Sequence, residues 1–92
     1  MITYAIHWLE EQTAIFKKMG IVIDNINTTR HFSFYVDFIS SGSFARFILW
    51  EDGNCELEVL SITTEKTTFV EHRQLYNEHD IEMAFIDLLR KM

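Results

Sequence analysis

The stretch from Ser33 to Leu60, SFYVDFISSGSFARFILWEDGNCELEVL, constrains the fold more than any other part of the chain. Apolar and polar residues alternate through three segments, and a Gly-containing turn separates each segment from the next. Alternation of period two places successive side chains on opposite faces of a pleated strand. In the first segment Phe32, Phe34, Val36 and Phe38 share one face, and Ser33, Tyr35, Asp37 and Ile39 share the other. The Phe and Val face is the expected core face.

Turn length tests the pairing. With Ser41-Gly42 as a two-residue loop, Phe38 falls opposite Ala45, Val36 opposite Phe47 and Phe34 opposite Leu49, so turn and pattern select the same register. At the second turn, a two-residue Asp52-Gly53 loop would set Glu56 and Glu58 opposite Leu49 and Phe47, bringing two carboxylates onto the core face. A three-residue loop, Glu51 to Gly53 with Gly53 left-handed, sets Cys55, Leu57 and Val59 there instead. The longer loop is therefore expected.

The flanks complete an α+β order. From Thr3 to Met19 the apolar residues Ala5, Ile6, Trp8, Leu9, Ile15, Phe16 and Met19 fall at helical spacing, with Thr3 as N-cap and Gly20 as the left-handed stop after Lys17 and Lys18. Ile21-Val22-Ile23 reads as a short strand or an extended lead-in, and Asp24 to Arg30 as a loop. A fourth strand of the meander spans about Thr68 to Gln74. With Glu65-Lys66 as its loop, Phe69 meets Ile62 and Arg73 meets Glu58. A C-terminal helix follows, with Asn77 as N-cap, Asp80 three residues on, Tyr76 and Ile81 as a staple, and a stripe at Ile81, Ala84, Phe85, Leu88, Leu89 and Met92. The expectation is one domain, residues 1–92: an N-terminal helix, a four-stranded antiparallel meander with room for an extra short strand near 21–23, and a C-terminal helix, both helices on one face of the sheet.

Composition narrows the function. The chain is 92 residues long and 48% hydrophobic, with no Pro and 3 Gly, which favours one ordered core over linkers or disorder. A formal charge of −6 opposes binding to nucleic acid and would attract a basic partner. Cys55 has no second Cys to pair with, Glu10 and Glu11 interrupt residues 1–20, and no apolar run approaches the ~20 residues needed to span a bilayer. These features place the protein in the cytoplasm, away from membranes.

Chemical motifs are sparse. His7, His31, His72 and His79 are scattered without ligand spacing, so no metal site is expected. Glu71 and His72 are adjacent in a strand and point to opposite faces, which excludes an oriented general base; a partly buried neutral His72 is the expectation. Cys55 has no adjacent His and points inward, as a small hydrophobe. Asp52-Gly53-Asn54 lacks the spaced oxygen ligands of a calcium loop. No catalytic residue and no cofactor are expected.

The second sheet face is more informative. The registers above give a row Asp37, Arg46, Glu58, Arg73 of alternating sign, flanked by Ile39, Phe44, Leu60, Ile62 and Phe69 on one side and Tyr35, Ile48 and Trp50 on the other. Either one helix covers part of this face, or both pack on the core face and leave it as a recognition surface. Apolar area of this kind, anchored by Trp and Tyr, favours recognition.

Gly42, Phe44-Ala45-Arg46-Phe47, Leu49-Trp50-Glu51-Asp52-Gly53, Cys55, Glu58-Val59-Leu60, a late His72 and the C-terminal amphipathic helix together resemble the TriTu family, small immunity proteins of bacterial polymorphic toxin systems. The resemblance is strongest over residues 38–62. It implies a cytoplasmic, non-enzymatic, antitoxin-like inhibitor that binds a cognate toxin domain. If so, Tyr35, Ile48, Trp50, Glu51, Asp52, Glu56 and Glu58, clustered at one end of the outer face, are the candidate toxin-facing residues. The alternative is a self-associating structural or regulatory domain, a homodimer through the same face.

Overall fold

The computed structural model describes residues 1–28 and 32–92. Among these, helix α1 (Ile2–Lys18) precedes strands β1 (Val22–Thr28), β2 (Ser33–Ile39), β3 (Ser43–Trp50), β4 (Asn54–Ser61) and β5 (Thr67–Gln74), and helix α2 (Glu78–Arg90) follows. The strands form one antiparallel sheet in chain order.

The central registers follow turn chemistry. Phe38 pairs with Ala45, Val36 with Phe47 and Phe34 with Leu49, and Ser40 N–H donates to the Ser43 carbonyl across Ser41-Gly42. Cys55, Leu57 and Val59 pair with Leu49, Phe47 and Ala45 across the three-residue loop. Gly53 sits at φ +89, and a Cβ there would lie 2.2 Å from the Leu75 carbonyl oxygen, so both backbone angle and space demand glycine. The same turn is tied down by Leu75 N–H donating to the Gly53 carbonyl at 2.8 Å.

Both helices lie on the Phe/Val face. Phe16 of α1 packs edge-on against Phe38, and Phe85 of α2 contacts Phe38 and, at 4.1 Å between ring centroids, Phe47. Phe34, Val36, Phe38, Ala45, Phe47, Leu49, Cys55, Leu57 and Val59 are wholly buried there. The helices run parallel: the Tyr4 hydroxyl donates to Glu82 near their starts, Trp8 stacks on Phe85 at 5.3 Å, and Phe16 and Met19 share a groove with Ile86 and Leu89 near their ends. Five antiparallel strands make β1 and β5 parallel, so helices doubling back from each must be parallel too. Their negative dipole ends lie side by side, and Lys17, Lys18 and Arg90 in the last turns offset that field. Neither helix is long and apolar enough to cross a membrane.

Helix ends bear out most of the sequence signals. Gly20, at φ +81, donates to the Lys17 carbonyl while Ile21 N–H reaches Phe16, the paired bonds that close a helix through a left-handed residue. Asp80 N–H donates to Asn77 Oδ1 at 2.9 Å, and the Asp80 carboxylate accepts from Tyr76 N–H. Two details differ. The cap position of α1 is Met1, without a side-chain bond, so Thr3 lies inside the helix. Tyr76 is 78% exposed and staples nothing; Leu75, 3% exposed, enters the core in its place.

Three strand expectations are corrected. Asp24 to Thr28 is not loop, because β1 continues to Thr28 beside β2, with a bulge at Asp24 that lets a polar segment serve as an edge. The expected loop residues Thr29 and Arg30, and His31 at its expected strand start, lie outside the described residues. Phe32 precedes β2 at φ +62, which turns its ring out of the core to 72% exposure. The largest correction is the β4–β5 register: Val59 pairs with Phe69, Glu58 with Val70 and Cys55 with Arg73. A longer turn, in which Ser61 N–H donates to the Lys66 carbonyl and Glu65 takes φ +59, together with a bulge at Leu60, shifts the strand by an odd number of residues and exchanges its faces.

Candidate functional site: the outer face of the sheet

No described helix covers the face opposite the core, and its side chains fall into cross-strand rows. Across all five strands run Asn27, Tyr35, Ile48, Glu56 and His72, and beside them Asn25, Asp37, Arg46, Glu58 and Val70. A third row, Val22, Ile39, Phe44 and Leu60, is apolar. Trp50 stands beyond Ile48, next to the β3–β4 turn that carries Glu51 and Asp52.

One ion pair organises the centre. Asp37 is 5% exposed and its carboxylate accepts both Arg46 Nε at 2.6 Å and Nη2 at 3.0 Å. A carboxylate removed from water is tolerated when a bidentate guanidinium satisfies it, and the bond to Asp37 raises the Arg46 pKa further. The same guanidinium lies 4.5 Å over the Tyr35 ring. Arg46 therefore leans toward β2 and away from its other neighbour, Glu58.

That lean leaves a depression of about 70 Å³ lined by Arg46, Ile48, Glu56, Glu58 and Val70. Val70 is not among the residues that the sequence pattern puts on this face, and Arg73, expected in this row, lies on the helix side. There Arg73 bonds Glu71 at 2.9 Å and Asp87 of α2 at 2.8 Å, closing the edge of the core with a paired charge. Its partner Glu71 is held below the usual carboxylate range by that bond. Phe69 likewise packs against the core rather than the outer face. No Gly or Asn marks the Ser61–Lys66 turn, so the sequence carries no signal for the register that brings Val70 outward.

The structure places all seven candidate residues on the outer face or its adjoining turn. Tyr35, Ile48 and Glu56 form one row, Trp50 stands on the turn side of it, and Glu58 on the other side. Glu51 and Asp52 are exposed in the turn. The Asp52 carboxylate accepts Asn54 N–H at 3.0 Å and Asn54 Nδ2 at 2.8 Å, bonds that hold its pKa below the usual value, and Gln74 Nε2 donates to the Asp52 carbonyl.

The groups considered for catalysis lie elsewhere or are constrained. His7 and His79 are exposed on the helices, and His72 is exposed rather than partly buried, its Nε2 3.1 Å from Asn54 Oδ1. The Cys55 thiol is buried, and desolvation pushes its pKa up to about 11, so it remains protonated at neutral pH. Among the described residues, no three His, Cys, Asp or Glu side chains gather as a metal site. The face offers contact area and charge.

No curated protein matches the chain. A family model described as immunity protein TriTu matches residues 3–91, from the first turn of α1 to the end of α2. The chain belongs to the TriTu immunity protein family.

Proposed function

We propose that this protein is a non-enzymatic inhibitor acting in the bacterial cytoplasm, where it binds and neutralises the cognate toxin domain of a polymorphic toxin system. The outer sheet face and the Glu51–Gly53 turn are the toxin-facing surface. The observation that carries this reading is an open face on which half-buried Tyr35, Ile48 and Trp50 stand beside exposed Glu51, Asp52 and Glu56. Aromatic anchors with a charged rim are the usual anatomy of a protein-binding patch. A net charge of −6 would steer a basic toxin toward it, so association should slow as salt rises.

The test is pull-down with the toxin domain encoded beside the gene, followed by rescue of toxicity. Wild-type protein should bind and rescue. Ile48→Glu should keep its thermal unfolding transition, because the residue is not part of the core, and lose both binding and rescue. Retention of both by the folded variant would move the interface elsewhere. Sedimentation at micromolar concentration should show a monomer; a dimer abolished by the same substitution would assign the face to self-association.

A further inference from the structure

Resting on the toxin-facing role of this surface, we propose that the depression between β3, β4 and β5 receives one cationic side chain, a lysine or arginine, from the toxin. It is lined by the apolar Ile48 and Val70, by the carboxylates of Glu56 and Glu58, and by Arg46, whose charge is taken up by Asp37. These two glutamates are two residues apart on one strand and so stand ~7 Å apart on the same face. Neither side chain makes a hydrogen bond or a close ion pair among the described residues, although Glu58 acts on Arg46 through space. Glu58 faces Arg46 in register, but Arg46 has turned both of its bonds and its flat face to β2.

Size and charge exclude the other occupants. A depression of about 70 Å³ is far below the ~300 Å³ at which small-molecule sites begin, yet it suits the end of one side chain. An apolar intruder would strip water from two carboxylates and return nothing to them. A lysine or arginine lays its methylenes on Ile48 and Val70 and brings its charge between Glu56 and Glu58, satisfying both parts of the depression. The exposed edge residue Val70, 61% accessible, leaves the entrance on the β5 side open.

The experiment measures affinity and its salt dependence for the toxin domain with wild type, Glu56→Gln/Glu58→Gln, Val70→Arg and Trp50→Ala, each first shown to be fully folded at the assay temperature by a cooperative thermal melt. The double glutamine variant should bind about 30-fold more weakly or worse, with a flatter salt dependence. Val70→Arg, which supplies the cation from within the chain, should weaken binding comparably. Binding that falls with Trp50→Ala but is unchanged by the glutamine and arginine variants would overturn the cation seat and leave the surface intact. Binding unchanged by all the variants would overturn the surface as well.

Discussion

The two faces of the central strands are built from alternate residues of the same segments, yet they obey different rules. On the helix side, nine residues of β2, β3 and β4 are completely inaccessible, and none of them is charged. On the outer side, an ion pair, a cation over a ring and two unbonded glutamates stand among half-buried apolar groups. One parity of the sequence specifies the core, and the other makes up the face proposed for recognition.

The contrast can be broken most forcefully at Phe85, which contacts Trp8, Phe38 and Phe47. Phe85→Ala should destabilise the domain by about 3–5 kcal/mol in urea titration, against about 1 kcal/mol for Trp50→Ala. Equal losses would erase the distinction between the faces. A middle-sized effect is expected at Arg46, because its removal leaves Asp37 buried without a partner; Arg46→Ala should cost about 2 kcal/mol by the same measurement. Replacing Asp37 and Arg46 together with Leu should restore much of that loss, which would define the pair as a device of the outer face rather than a prop for the core.

The smallest effect lies on the helix side and is read by pH. The Tyr4 phenol is raised from 10.0 to about 12, chiefly by its hydrogen bond to Glu82. The folded state favours the protonated phenol, so this contribution is fully present below pH 10.0 and disappears as pH rises toward 12. Tyr4→Phe should be less stable than wild type at neutral pH, and the gap should narrow over that alkaline window in thermal melts.

The middle of the sheet was legible in the sequence because two independent signals agreed there. Gly53 and the alternation of Phe47, Leu49, Cys55 and Leu57 permit a single pairing, as do Ser41-Gly42 and the residues around it. The edges lacked that agreement. In β1, Asp24, Asn25 and Asn27 read as loop because an edge strand need not bury an apolar face. In β5, adjacent Phe69 and Val70 give no alternation, and the turn before them contains no residue specialised for positive φ, although Glu65 adopts it. The candidate surface inherits this division: its residues on β2, β3 and β4 were legible, whereas Val70 on β5 required the structure.

The clasp between Gly53 and Leu75 bears on how tightly such a surface can hold a partner. Hydrogen bonds from Leu75 N–H and Gln74 Nε2 fix the backbone of the acidic turn, and Asn54 fixes the Asp52 carboxylate. A charged loop free to wander would lose that freedom on docking and weaken the complex accordingly. Here the loss is taken during folding, so in the proposed role the turn would meet a toxin already in one conformation, with affinity set by complementarity rather than by ordering.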